Sequence, residues 1–111
     1  MNYSLESIAS FKRDLERLIK KYPSLRSEIE LLGNELRANP AQGKALGDGV
    51  YKVRLRIASK QKGKSGGARV ITCVKVLRET VYLLSIYDKS EQADIADEKI
   101  QELIQEIPEA E

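Results

Sequence analysis

The apolar residues of this chain change their spacing partway along, and that change constrains the fold more than any other feature. In the first forty residues they recur every three to four positions, as Phe11, Leu15, Leu18 and Ile19 and then Leu25, Ile29, Leu32 and Leu36. That spacing lays a single stripe along an α-helix. From Val50 the period is two: Val53, Leu55 and Ile57 alternate with Lys52, Arg54 and Arg56. A strand with this pattern buries one face and shows a row of cations on the other.

The remaining signals divide the chain into elements. Tyr3 to Ile8 reads as a short strand, and Ser10 is positioned to cap a helix from Phe11 onward. Pro23 interrupts that helix and suits the first turn of a second one, which runs to about Arg37 and forms a hairpin with the first. Ala38 to Gly49 is rich in Gly, Pro and Asn and reads as a surface loop. Ala58 to Ala68 reads as a second, Gly-rich loop. Val70 to Leu77 is almost continuously apolar and β-branched, as a central strand would be. Arg78 and Glu79 make a turn into the next strand, Val81 to Tyr87. Ile95, Ile100, Leu103, Ile104 and Ile107 mark a C-terminal helix that ends before Pro108. The expected architecture is α+β: a small antiparallel sheet with an N-terminal helical hairpin and a C-terminal helix. With 111 residues there is material for one core, so residues 1–107 are expected to form one domain, followed by an acidic tail at 108–111.

Composition removes several chemistries. The chain has no histidine, which excludes Ser-His-Asp triads, Cys/His zinc sites and the paired-histidine route to RNA cleavage. Its one cysteine, Cys73, lies within the Val70–Val76 run and reads as a small core residue. No dinucleotide fingerprint or Cys-x-x-Cys is present. Neither a cofactor nor a metal site is expected. No apolar run approaches the length of a membrane helix, and the N-terminus lacks a secretory pattern, so a cytoplasmic protein without membrane contacts is expected.

The charges are segregated. Residues 44 to 78 carry ten basic side chains against Asp48 alone, a net of +9, whereas residues 91 to 111 carry eight acidic side chains against Lys99. Such a basic block attracts polyanions, chiefly nucleic acid. A solvated basic face balanced by the acidic C-terminal helix is the plainer alternative.

Within the block, Gly63-Lys64-Ser65 suggests a phosphate-binding loop. However, position 58 is Ala58 where the motif needs glycine, and the loop leads into a strand rather than a helix. Lys60, Lys62 and Lys64 are better read as a basic hairpin tip able to contact an RNA backbone. Arg69 opens an otherwise apolar strand directly after Gly66 and Gly67, which would let the backbone approach a ligand closely. If Lys52 and Arg54 lie on the neighbouring strand, all three cations can converge on one phosphate, which a planar guanidinium grips with two parallel hydrogen bonds. Pairing of Arg69 with a carboxylate of the last helix is the alternative. Tyr87 and Lys89 follow the last strand; Tyr87 either stacks on a base or caps the core, and Lys89 could donate to a leaving oxygen.

The segments Tyr51-Lys52-Val53-Arg54-Leu55-Arg56, Gly66-Gly67-Ala68-Arg69-Val70-Ile71 and Leu84-Ser85-Ile86-Tyr87-Asp88-Lys89-Ser90-Glu91, together with Ser10-Phe11-Lys12-Arg13-Asp14-Leu15, resemble the RelE/ParE superfamily of bacterial toxins, most closely its HigB-like branch. The resemblance implies a ribosome-dependent, metal-independent mRNA endonuclease of a type II toxin–antitoxin system. It would inhibit translation by driving the ribose 2′-hydroxyl onto the adjacent phosphate. The implied partners are the ribosome, mRNA and a cognate antitoxin of helix-turn-helix type; because a surface of +9 needs masking in the cell, the antitoxin is expected to cover the cationic face or wedge against the helices. By the same resemblance Lys52 and Arg54 activate the 2′-hydroxyl or bind phosphate, Arg69 stabilises the transition state and Lys89 sits near the leaving 5′-oxygen. Arg56, Lys60, Lys62, Lys64 and Tyr87 would bind RNA. The ParE arm of the superfamily, which inhibits DNA gyrase by protein contact without catalysis, is the alternative.

Overall fold

A computed structural model describes residues 2–59 and 67–109. The helical hairpin is α1 (Ala9–Lys21) and α2 (Leu25–Ala38), and the C-terminal helix is α3 (Asp97–Ile104). The strands are β1 (Ser4–Ser7), β2 (Lys44–Gly47), β3 (Val50–Leu55), β4 (Ala68–Lys75) and β5 (Thr80–Asp88). They form one sheet in the order β1-β5-β4-β3-β2. The expected β3–β4–β5 antiparallel meander is its centre, and β1 adds to β5 in parallel.

The two faces of the sheet carry different cover. Alternation places Val53, Val70 and Ile86 on one face, in register with each other, under the hairpin residues Phe11, Leu18, Leu25 and Leu36, all essentially without exposure. The other face carries Val50, Ile71, Cys73 and Tyr82, and receives Ile100, Leu103 and Ile107 of the α3 region. Cys73 is buried, and burial raises its thiol pKa, as a core role requires.

Several local expectations are corrected. Lys44–Gly47, read as part of a loop, is an edge strand. It is exposed along its whole length and irregular in register, so backbone pairing forms it without any apolar pattern. Helix α1 begins at Ala9 with Ile8 at its cap position; Ser10 lies inside the first turn and its hydroxyl donates to Glu106 instead. The apolar run after Val70 does not stay in the sheet to Leu77. Val76, Leu77 and Arg78 form a 3-10 turn in which Leu77 is fully exposed, and Glu79 closes the turn in the left-handed region at φ 49°. Ile95 precedes α3 and Ile107 follows it, yet both pack on the core. The guanidinium of Arg78 donates to the Pro108 carbonyl at 2.7 Å, tying down the segment after α3.

Candidate nucleic-acid interface

The face that α3 covers is only half covered. Beyond Val50 and Ile71 the same alternation brings up Lys52 and Arg54 on β3 and Arg69 on β4. Arg54 lies directly opposite Arg69, and Arg69 opposite Tyr87. Lys44 on the edge strand lies opposite Lys52. Like charges facing each other across a ladder cost roughly 0.2–1 kcal/mol per pair. A fold selected only for stability has no use for two such pairs side by side, and a local rule broken in this way marks a functional surface.

These cations surround one cleft of about 500 Å³, lined by Gly43, Lys44, Lys52, Arg54, Arg69, Lys89, Ala93 and Asp94. The four residues singled out for chemistry, Lys52, Arg54, Arg69 and Lys89, are all there. Lys44 joins them, hidden in the sequence because its strand carries no pattern. Five cations against a single carboxylate make a strongly electropositive pocket suited to phosphate groups.

The scaffold around the cleft is tightly specified. Gly67 adopts φ +61°, and a side chain there would meet the Leu55 carbonyl oxygen at 2.4 Å. The close approach anticipated for this glycine is therefore to β3, not to a ligand. It sets β3 and β4 in the register that opposes Arg54 and Arg69. The Gly67 carbonyl also accepts the Lys89 amide at 3.0 Å, so one residue anchors both ends of the cationic cluster. Asp88, with no exposed surface, fixes the turn beyond β5. It accepts the Tyr22 hydroxyl at 2.6 Å on one oxygen and the Ser90 amide and hydroxyl at 3.0 and 2.8 Å on the other.

The acidic residue that reaches the cleft is Asp94, from the irregular segment between β5 and α3. Its carboxylate accepts Lys52 Nζ at 3.0 Å, the Ile95 amide at 2.9 Å and the Tyr87 hydroxyl at 3.4 Å. The Lys52 bond above all, then the Ile95 amide, holds its pKa below the ordinary carboxylate value. Lys52 thus pairs with the acidic C-terminal segment, as Arg17 and Lys21 do through Glu91. Arg69, for which such pairing was the alternative, directs one guanidinium nitrogen to the Ala68 carbonyl at 3.2 Å. Tyr87 is 4% exposed, so it meets the cleft through its hydroxyl and not through an open ring face, and burial raises its pKa. Arg56 follows the end of β3, exposed and outside the cleft lining. Lys60, Lys62 and Lys64 lie outside the described residues. Among the described residues no cluster of His, Cys, Asp and Glu is arranged to hold a metal ion, and no helix is long and apolar enough to cross a membrane.

Comparison with known proteins agrees with this fold. The family model for the RelE toxin of the RelE/RelB toxin–antitoxin system matches residues 12–109. Among solved structures, a mutant E. coli toxin RelE in the free state superposes with a TM-score of 0.63 at 22% identity, covering 97% of this chain and 100% of that one. The toxin–antitoxin complex RelBE2 from Mycobacterium tuberculosis gives 0.60 at 18% identity, covering 79% and 99%. The isolated E. coli RelE toxin gives 0.56 at 19%, covering 93% and 97%. At these identities the superpositions establish the shared fold, and the family match over nearly the whole chain establishes the rest: this protein belongs to the RelE toxin family of toxin–antitoxin systems.

Proposed function

We propose that the protein is a ribosome-dependent mRNA endonuclease that inhibits translation, with the cationic cleft as its active site. The observation that carries this reading is the convergence of Lys52, Arg54, Arg69 and Lys89, from two strands and a strand end, on one cavity. In the reaction the ribose 2′-oxygen attacks the adjacent phosphorus, the P–O5′ bond breaks, and the products are a 2′,3′-cyclic phosphate and a free 5′-hydroxyl. Lys52 and Arg54 hold the phosphate and favour loss of the 2′-hydroxyl proton to a solvent water. Arg69 stabilises the extra negative charge of the pentacoordinate phosphorus, and Lys89 donates a proton to the leaving 5′-oxygen. Arg is suited to the central role because its charge is permanent and its fork matches two phosphate oxygens. No step requires imidazole, which the chain lacks. Arg56, Lys60, Lys62 and Lys64 are assigned further contacts with RNA phosphates.

The same reading assigns the partners: mRNA on the ribosome as substrate, and a cognate antitoxin of helix-turn-helix type that masks the cationic face. The test is a purified translation system with primer extension across the message. Cuts that require the ribosome support the reading. Intact message, with DNA gyrase inhibited in a parallel supercoiling assay, overturns it in favour of a gyrase-binding toxin.

A further inference from the structure

Among the described residues, Asp94 is the one carboxylate lining a cleft that carries five cations. It is well placed to act on the ligand of that cleft. Its side chain is 66% exposed, while that of its partner Lys52 is only 21% exposed. The lysine is therefore built into the wall and the carboxylate reaches in from outside. The segment that carries it is irregular, lying between the last residue of β5 and the start of α3. A backbone amide at Ile95, the Tyr87 hydroxyl and Lys52 Nζ all point to the same oxygen, Oδ1. Of these donors Lys52 lines the cleft, and its ammonium is what a phosphodiester oxygen would find if the Asp94 carboxylate swung away.

We infer that Asp94 is a tethered competitor for substrate phosphate: its carboxylate occupies an anion seat on Lys52, and RNA binds by exchanging a phosphate for it. The inference rests on the reading of the cleft as the RNA site. Its consequence is selectivity for polymers over small anions. A carboxylate attached to the same chain competes at a high effective concentration, which a lone phosphate ion cannot match. A single-stranded RNA brings several phosphates at once, and its contacts with Arg54, Arg69 and Lys89 offset the loss of the Lys52–Asp94 pair. Asp94 is thus a specificity-determining residue, in contact with the site but taking no part in bond making.

The test uses the purified full-length toxin and a single-stranded oligoribonucleotide methylated at every 2′-hydroxyl, which binds without being cleaved. Asp94→Asn keeps an oxygen acceptor for the Ile95 amide and the Tyr87 hydroxyl and removes only the charge; Asp94→Ser is the second variant, and thermal melting confirms that each is folded. Glu35→Gln, which removes an exposed carboxylate on the outer side of α2, controls for net charge. An exposed ion pair is worth under about 1 kcal/mol, so Asp94→Asn should tighten oligonucleotide binding by about 3- to 10-fold once repulsion of the incoming phosphate is also relieved. Inorganic phosphate should compete with the oligonucleotide at a lower concentration in that variant than in the unsubstituted protein. Combining Asp94→Asn with Lys52→Met should abolish the gain. Equal effects of Asp94→Asn and Glu35→Gln, or a gain that persists without Lys52, overturn the inference. Arg69→Ala separates the two levels. If it weakens binding and Asp94→Asn does not tighten it, only the exchange model fails. If Arg69→Ala leaves affinity unchanged, the cleft is not the RNA site and both readings fail.

Discussion

One face of the sheet holds two regions that obey the same alternation and do opposite things. Where Val50, Ile71, Cys73 and Tyr82 point outward, Ile100, Leu103 and Ile107 of the C-terminal region close over them and water is excluded. Two to four residues along the same strands, Lys52, Arg54 and Arg69 occupy equivalent positions, α3 does not reach them, and the face opens into a cleft. The strands thus deliver stability at one end and charge at the other. The apolar end fixes the register that forces Arg54 and Arg69 together at the cationic end. Stability and function should therefore respond to different substitutions on the same two strands.

The largest effect should come from the cationic end. Removing one donor aimed at a transition-state charge typically costs about 10²- to 10³-fold in rate, so Arg69→Ala should lower the rate of ribosome-dependent cleavage by that factor while its urea midpoint stays near that of the unsubstituted protein. The mirror experiment is Ile71→Ala, two residues further along β4. Truncating a fully buried isoleucine should cost about 2–5 kcal/mol in urea unfolding, with cleavage per folded molecule unchanged. A collapse of both properties in either variant would erase the distinction between the two regions.

Arg54→Ala sharpens the comparison at smaller scale. Relief of its opposition to Arg69 should leave stability unchanged or raise it by up to about 1 kcal/mol, while RNA affinity falls; paired melting and binding titrations at low salt would show the opposite signs. The smallest effect belongs to an ion cluster outside the cleft lining, in which Glu91 accepts Lys21 at 2.8 Å and Arg17 at 3.3 Å. The Lys21 bond holds the Glu91 pKa below its ordinary 4.5. A depressed carboxylate pKa stabilises the fold above the unfolded value and loses that contribution as pH falls through the folded value. Glu91→Gln should therefore lower the melting temperature slightly at pH 7, by an amount that shrinks as the pH falls below 4.5.

Much of this was legible in the sequence, for a physical reason. Period-two alternation leaves no freedom about which residues share a face, so the meeting of Lys52, Arg54 and Arg69 followed once their strands were recognised as neighbours. Lys44 escaped because an exposed edge strand is held by backbone pairing and leaves no apolar trace. Val76 and Leu77 misled for the opposite reason: they extend an apolar run past the point where a 3-10 turn takes the chain out of the sheet. Asp94 was invisible because it meets Lys52 across 42 residues of sequence, from a segment with no regular period. Tyr87 had two readings, and its burial selects the packed one with only the hydroxyl facing the cleft. The HigB-like branch rested on the basic loop before Arg69, most of which lies outside the described residues, and the matches themselves are to RelE toxins.

The proposed seat of the RNA phosphodiester is the one cationic cleft. The most direct measurement is nuclear magnetic resonance of the ¹⁵N-labelled toxin titrated with the 2′-O-methylated oligonucleotide, following lysine and arginine side-chain signals together with the backbone. The largest shifts are expected at Lys52, Arg54, Arg69 and Lys89, with the Asp94–Ile95 amides moving in step. Shifts confined to the outer faces of α1 and α2 or to the turn around Leu77, with those four side chains unmoved, would contradict it.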